Sequence, residues 1–173
     1  MRDIEQRIKE KIEAVGVPLR EWDVSINRGI VTGFNEAFVI TSAKKDELIA
    51  ADPKSAEIIR PILRGRDIKR YGYDFADLYL ICTFPSRNYD IENYPAIKKH
   101  LLSFGYERLI QSGETYIVNR QKISARKKTN NKWFETQDSI SYWDDFSEQK
   151  IVWKRVGSIL RFYAVDYVHK MEL

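Results

Sequence analysis

The chain has 173 residues, 43% of them apolar and 13% aromatic, with 29 Lys and Arg against 25 Asp and Glu for a net charge of +4. That size fits one domain, and that composition excludes a chain too polar to fold. A lone cysteine, Cys82, excludes an internal disulfide framework, and with only His100 and His169 beside it a tetrahedral zinc site would need carboxylates.

Ile4, Ile8, Ile12 and Val15 recur at helical spacing until Gly16 and Pro18 stop the run. This amphipathic start is charged, lacks the apolar block of a secretory leader, and leaves a reducing cytosol as the expected location. Residues 24–41 predict strand, turns and strand: Val24–Ile26, turn chemistry through Thr32-Gly33-Phe34-Asn35, then Ala37–Ile40. A short helix is expected at 43–51, and Asp52-Pro53 opens another that runs through Ile58-Ile59 until Pro61 disturbs it. Asp77 to Phe84 reads as a buried strand; its apolar core, Leu78 to Cys82, is far too short to span a bilayer. Tyr94-Pro95 begins a helix carrying Ile97, Leu101 and Phe104 inward, ended by Gly105. Residues 113–132 have little periodicity and predict a long surface loop, followed by strands at Ile151–Trp153 and Phe162–Val165. Small sheets with short interspersed helices make a mixed α+β domain the expected fold class.

The small net charge conceals a segregation. Lys54 to Arg70 carries +4, Arg120 to Lys132 carries +6 without an acid, and the remainder is −6. Two such stretches either offer a positive face to a polyanion or form two solvated loops on different faces.

Catalytic signatures are sparse. No phosphate-binding loop, nucleophile elbow, zinc-protease helix or dinucleotide-binding glycine pattern occurs. The prolines are never adjacent, so the Asn/Asp-Pro-Pro-aromatic loop of adenine methyltransferases is missing. Asp138, Asp144 or Asp145 with Glu148-Gln149-Lys150 could form the carboxylate and E-x-K set of a magnesium nuclease, or Lys150 simply starts a strand beside a solvated Glu148. Cys82 reads as a buried inert thiol, and His100 as an exposed helix-surface residue beside Lys98 and Lys99.

The binding signal differs in kind. Arg126-Lys127-Lys128-Thr129-Asn130-Asn131-Lys132-Trp133-Phe134 puts cations for phosphates, amides able to read adenine edges and two aromatic rings on one stretch. Trp133 and Phe134 can equally be core anchors under a solvated tip. In Arg64-Gly65-Arg66-Asp67, the aspartate can hold one arginine and leave the other for phosphate.

Several strings, in order, resemble one family. Gly29-Ile30-Val31-Thr32-Gly33-Phe34-Asn35-Glu36-Ala37-Phe38-Val39-Ile40, Pro61 to Tyr71, Leu78 to Ile81, Tyr94 to Leu101, Trp133-Phe134-Glu135 and Lys150 to Trp153 together are similar to the TaqI-like specificity domain. That domain lies C-terminal to the adenine-N6 methyltransferase in type II restriction-modification enzymes, and the likeness runs from about Arg20 to Val165. The resemblance implies a target recognition domain that grips double-stranded DNA while a separate methyltransferase or nuclease domain of the parent flips the adenine and transfers methyl from S-adenosylmethionine, with magnesium if it cleaves. It implies a connector over residues 1–18, a recognition domain over 19–173, no catalytic or metal-binding residue in this chain, and no membrane partner. Phosphate contacts are then expected from Arg64, Arg66, Arg70, Lys122, Lys127 and Lys128. Base or groove contacts are expected from Arg126, Asn130, Asn131, Lys132 and Gln137. Thr32, Gly33 and Asn35, with Gly65 and Asp67, fall on recurrent motif turns that serve fold or backbone docking. The alternatives are the E-x-K nuclease of Asp138, Glu148 and Lys150, and a protein-interaction module that docks a methyltransferase partner.

Overall fold

The computed structural model describes residues 3–154 and 161–165, so His169 lies outside it. Its organising element is a three-stranded antiparallel sheet in which β3 (Leu78–Ile81) runs between β1 (Val39–Thr41) and β2 (Ile59–Pro61). Ile40 pairs with Tyr79 and Arg60 with Leu80. The central strand was expected because Leu78 to Cys82 is uninterrupted and apolar. Strand β2 was not, since Pro61 argues for a broken helix; an edge position tolerates the missing N–H.

The stretch before the sheet differs from the expected pair of strands. Residues 24–26 form no strand, and Ala37 and Phe38 close a one-turn helix, α2 (Asn35–Phe38). The cause is Thr32, whose hydroxyl accepts the Phe34 amide at 3.1 Å and donates to Asn35 Oδ1 at 2.7 Å, curling the chain so that Ala37 and Phe38 enter the core. Helix α3 (Ser42–Ala51) then starts on a Thr41 cap that accepts the Lys44 amide. Asp52 caps the next turn as expected, accepting from Lys54 N and Ser55 Oγ, but Pro53–Ile58 is a 3₁₀ helix.

Helix α4 (Pro95–Leu102) buries Ile97 and Leu101 completely, as its spacing requires, and a single turn, α5 (Tyr106–Leu109), follows the left-handed Gly105. Together with Phe38, Ile58, Leu80, Ile81, Phe84 and Leu109 these side chains form the core. Each full burial of a Leu, Ile or Phe is worth about 1.5–3 kcal/mol over exposure. Cys82 lies in this core, and burial pushes its thiol up to about 12, so it is inert as a nucleophile. His100 is half-buried, not exposed: Nε2 lies 3.0 Å from the Ala37 carbonyl, and the ring meets Phe104 edge-on.

The expected loop at 113–132 contains a hairpin, β4 (Thr115–Val118) with β5 (Gln121–Ser124), closed by Asn119 and Arg120, both at positive φ. Strands β6 (Lys150–Trp153) and β7 (Phe162–Val165) pair antiparallel as anticipated. The whole is a mixed α+β fold of small antiparallel sheets and short helices. At the other end, α1 (Asp3–Val15) forms as read but buries none of its residues, and Ile4, Ile8, Ile12 and Val15 are all exposed. No helix of the described residues is long and apolar enough to cross a membrane.

Candidate nucleic-acid interface

The basic loop after β5 is built around one buried cation. Arg126, only 4% exposed, donates from Nε to the Leu109 carbonyl at 2.7 Å, from Nη1 to those of Thr32 and Glu135 at 2.9 and 2.7 Å, and from Nη2 to that of Trp133 at 2.6 Å. Its guanidinium carbon also lies 5.1 Å from the Phe38 ring centre. Burial lowers its pKa to about 10, which leaves it charged at neutral pH. Arg126 is therefore an internal clamp and not the base contact that its sequence context suggested: its fork is spent on main-chain oxygens.

Two amides complete the frame. Gln111 Nε2 donates to the Lys132 and Glu135 carbonyls, and its Oε1 accepts from Thr129. Asn131 Nδ2 donates to the Thr136 and Gln137 carbonyls at 3.1 and 3.0 Å. Asn131, expected as a base reader, has both its amide protons committed to the loop's own backbone. Glu135, buried, accepts the Lys132 amide, and Phe134 is a core anchor with Trp133 packed against it. The side chains left facing solvent are Lys127, Lys128, Asn130 and Lys132, with Gln137 half-buried.

The Thr32–Asn35 turn supports this loop directly. Gly33 sits at φ +77°, and a Cβ there would lie 2.7 Å from Gln137 Oε1 and 3.1 Å from Arg126 Cδ. Asp138 N donates to the Val31 carbonyl at 3.1 Å, and its carboxylate accepts twice from Arg28 Nη2 at 2.8 Å. The far side is tied to the sheet: Thr136 N donates to the Thr83 carbonyl and Thr83 Oγ1 to that of Phe134.

The other basic stretch lies at the opposite end of β3. Ile62 N donates to the Leu78 carbonyl, and the Arg64–Asp67 turn follows. Asp67, buried, accepts from Arg64 N, Nε and Nη2 at 2.9, 3.0 and 2.8 Å, and those bonds hold its carboxyl below the usual range. Arg64, expected on phosphate, locks this turn through Nε and Nη2 and stays partly exposed. Arg66 and Arg70 are exposed, and the Lys154 stem packs beside Gly65. Lys154 was invisible in the local sequence because only the return of β6 brings it there. Lys122 is exposed on β5, opposite Ile117. Leu78 and Thr83, which mark the two ends, are separated by about 17 Å at the rise of an extended strand.

Arg108 is a further cation that the basic stretches did not include: it is exposed and its guanidinium lies 4.3 Å from the Phe34 ring centre. Of the E-x-K set, Asp138 accepts from Arg28 and Lys150 Nζ donates to the Phe146 carbonyl. Among the described residues no three His, Cys, Asp or Glu are grouped so that they could hold a metal ion. No protein-family model matches the chain, and no curated protein matches it.

Proposed function

We propose that the chain is a sequence-specific duplex-DNA recognition domain, acting for an adenine-N6 methyltransferase whose catalytic domain, with its S-adenosylmethionine, is separate. The observation that carries this reading is the loop whose inward polar groups, Arg126, Gln111 and Asn131, bind its own backbone while Lys127, Lys128, Asn130 and Lys132 face outward. A cationic loop held in one shape loses little entropy on binding, which favours it over a mobile basic tail as a reader of base edges. Its second support is spacing. The loop is tied at Thr83 and the Arg64 turn follows the Ile62–Leu78 bond, so the two basic stretches lie at opposite ends of β3, a placement suited to contacts with separate phosphates. The resemblance of the motif strings to TaqI-like specificity domains supplies the methyltransferase context, and a location with DNA in a prokaryotic cytoplasm follows from it.

The test is fluorescence anisotropy on short duplexes across a salt series. Each phosphate contact contributes about 0.9 to the slope of log affinity against log salt. The double variant Lys127→Glu, Lys128→Glu is expected to lose at least about tenfold in affinity at low salt and nearly two units of slope. Unchanged duplex binding in that variant removes the loop from the interface and this reading with it.

The exposed apolar stripe of α1 favours a second surface, for docking the catalytic domain. Ile8→Lys with Ile12→Lys is then expected to leave duplex affinity unchanged and to abolish association with that domain.

A further inference from the structure

Between the Arg64 turn and β3 the chain forms a small hairpin. Asp74 N donates to the Asp67 carbonyl and Lys69 N to that of Gly72, each at 2.8 Å, with Ile68 bridged to Tyr73 between them. Only Arg70 and Tyr71 remain at its tip. The base is fixed: Asp67 is held by Arg64, Ile68 is buried, and the Tyr73 ring packs on Tyr163 with centroids 5.5 Å apart. Lys69 and Asp74 pair across the two strands at 3.0 Å.

The tip carries an unusual load for a fixed hairpin. Tyr71 is 84% exposed, and its ring is met by the Arg70 guanidinium, whose carbon is 5.3 Å from the ring centre. An aromatic ring presented to water on an anchored turn leaves the face away from Arg70 open for stacking, and it has few rotamers to lose on contact. Its surroundings select the kind of partner. Arg66, Lys69 and Arg70 lie within a few residues, Lys154 packs at the neighbouring turn, and the nearby acids Asp67 and Asp74 are both ion-paired. A flat apolar face set among cations fits a nucleobase attached to phosphates better than it fits a protein surface.

We infer that Tyr71 is a stacking residue that covers the face of a nucleobase exposed where a duplex is locally opened, with Arg66 and Arg70 on the flanking phosphates. The inference rests on the DNA-binding reading and adds a contact of a different kind, because inside an intact duplex base faces are covered by their neighbours. It separates two jobs: the loop at the Thr83 end reads the paired helix, and the hairpin at the Leu78 end senses an unstacked step.

The full chain is titrated with a short duplex that contains one unpaired nucleotide at its centre, and with its fully paired counterpart. The unaltered chain is expected to bind the opened duplex about tenfold more tightly, the scale of one base stacked on an aromatic ring. Tyr71→Ala is expected to erase that preference while keeping both the affinity for paired duplex and its salt slope. Tyr71→Phe, which keeps the ring, is expected to retain the preference, and thermal melting of both variants verifies that the fold is intact. A Tyr71→Ala chain that still prefers the opened duplex, or that weakens on both duplexes alike, overturns the stacking role. Equal binding of both duplexes by the unaltered chain does the same. Failure of the unaltered chain to bind any duplex overturns the DNA-binding reading itself, and the stacking role falls with it.

Discussion

The Arg126 guanidinium donates to the carbonyl of Thr32 at 2.9 Å across a sequence separation of 94 residues, fastening the turn before α2 to the basic loop. Four main-chain oxygens accept from that one side chain, three of them in buried bonds, and only the Glu135 carbonyl has a second side-chain donor among the bonds described above, Gln111 Nε2.

Arg126→Ala is therefore expected to destabilise the fold by on the order of 3 kcal/mol, since several buried acceptors lose their donor together. In a domain of this size that lowers the melting temperature by about 6–12 °C. Duplex affinity should fall with it through loosening of the loop, whereas Lys127→Glu should weaken binding at unchanged stability. Calorimetry beside anisotropy separates the two, and an Arg126→Ala chain as stable as the original contradicts the clamp.

Gly33→Ala meets two obstacles, the left-handed backbone at φ +77° and the Gln137 side chain. A loss of about 1–2 kcal/mol in urea unfolding is expected. Adding Gln137→Ala removes the closest contact and leaves Arg126 Cδ at 3.1 Å and the backbone cost, so the double variant should recover only partially. Full recovery would assign the whole cost to the collision.

His100 gives a pH signature. Burial keeps its folded pKa below the ordinary 6.5, with the Ala37 hydrogen bond opposing that shift, Lys44 adding to it and Glu47 resisting it. Below about 6.5 the unfolded chain takes up the proton more readily, so stability present above that value declines as pH falls toward the folded pKa. His100→Gln should flatten this part of the stability profile. Identical slopes for the two proteins between about pH 5 and 7 would show that His100 does not couple to folding.

Legibility in the sequence followed the range of the interactions. Helix α4 was readable because Pro95, the Ile97 and Leu101 spacing and Gly105 are local signals that the fold obeys. The β4–β5 hairpin was missed because its turn uses Asn119-Arg120, without glycine, and its strands are short and mostly exposed. At the candidate site the exposed positions of Lys127, Lys128 and Lys132 matched a simple reading of charge. Arg126 looks identical to them in the sequence. Its difference lies in Leu109 and Thr32, carbonyls contributed by distant elements, and no local pattern encodes a donor's destination. The same holds for Arg64, although there the Arg64-Gly65-Arg66-Asp67 string did disclose that one arginine would be tied.

The loop's conformation depends on side chains that point inward, so its outward positions carry little of the folding load, Lys132 adding only an ammonium 5.6 Å from the Phe134 ring centre. Residues 127, 128, 130 and 132 can be exchanged as a set while Gln111, Arg126, Asn131 and Glu135 keep the same backbone path. Such a division turns the loop into a display scaffold: a library randomised at those four surface positions should fold almost uniformly, and its members should differ in what they bind rather than in whether they are stable.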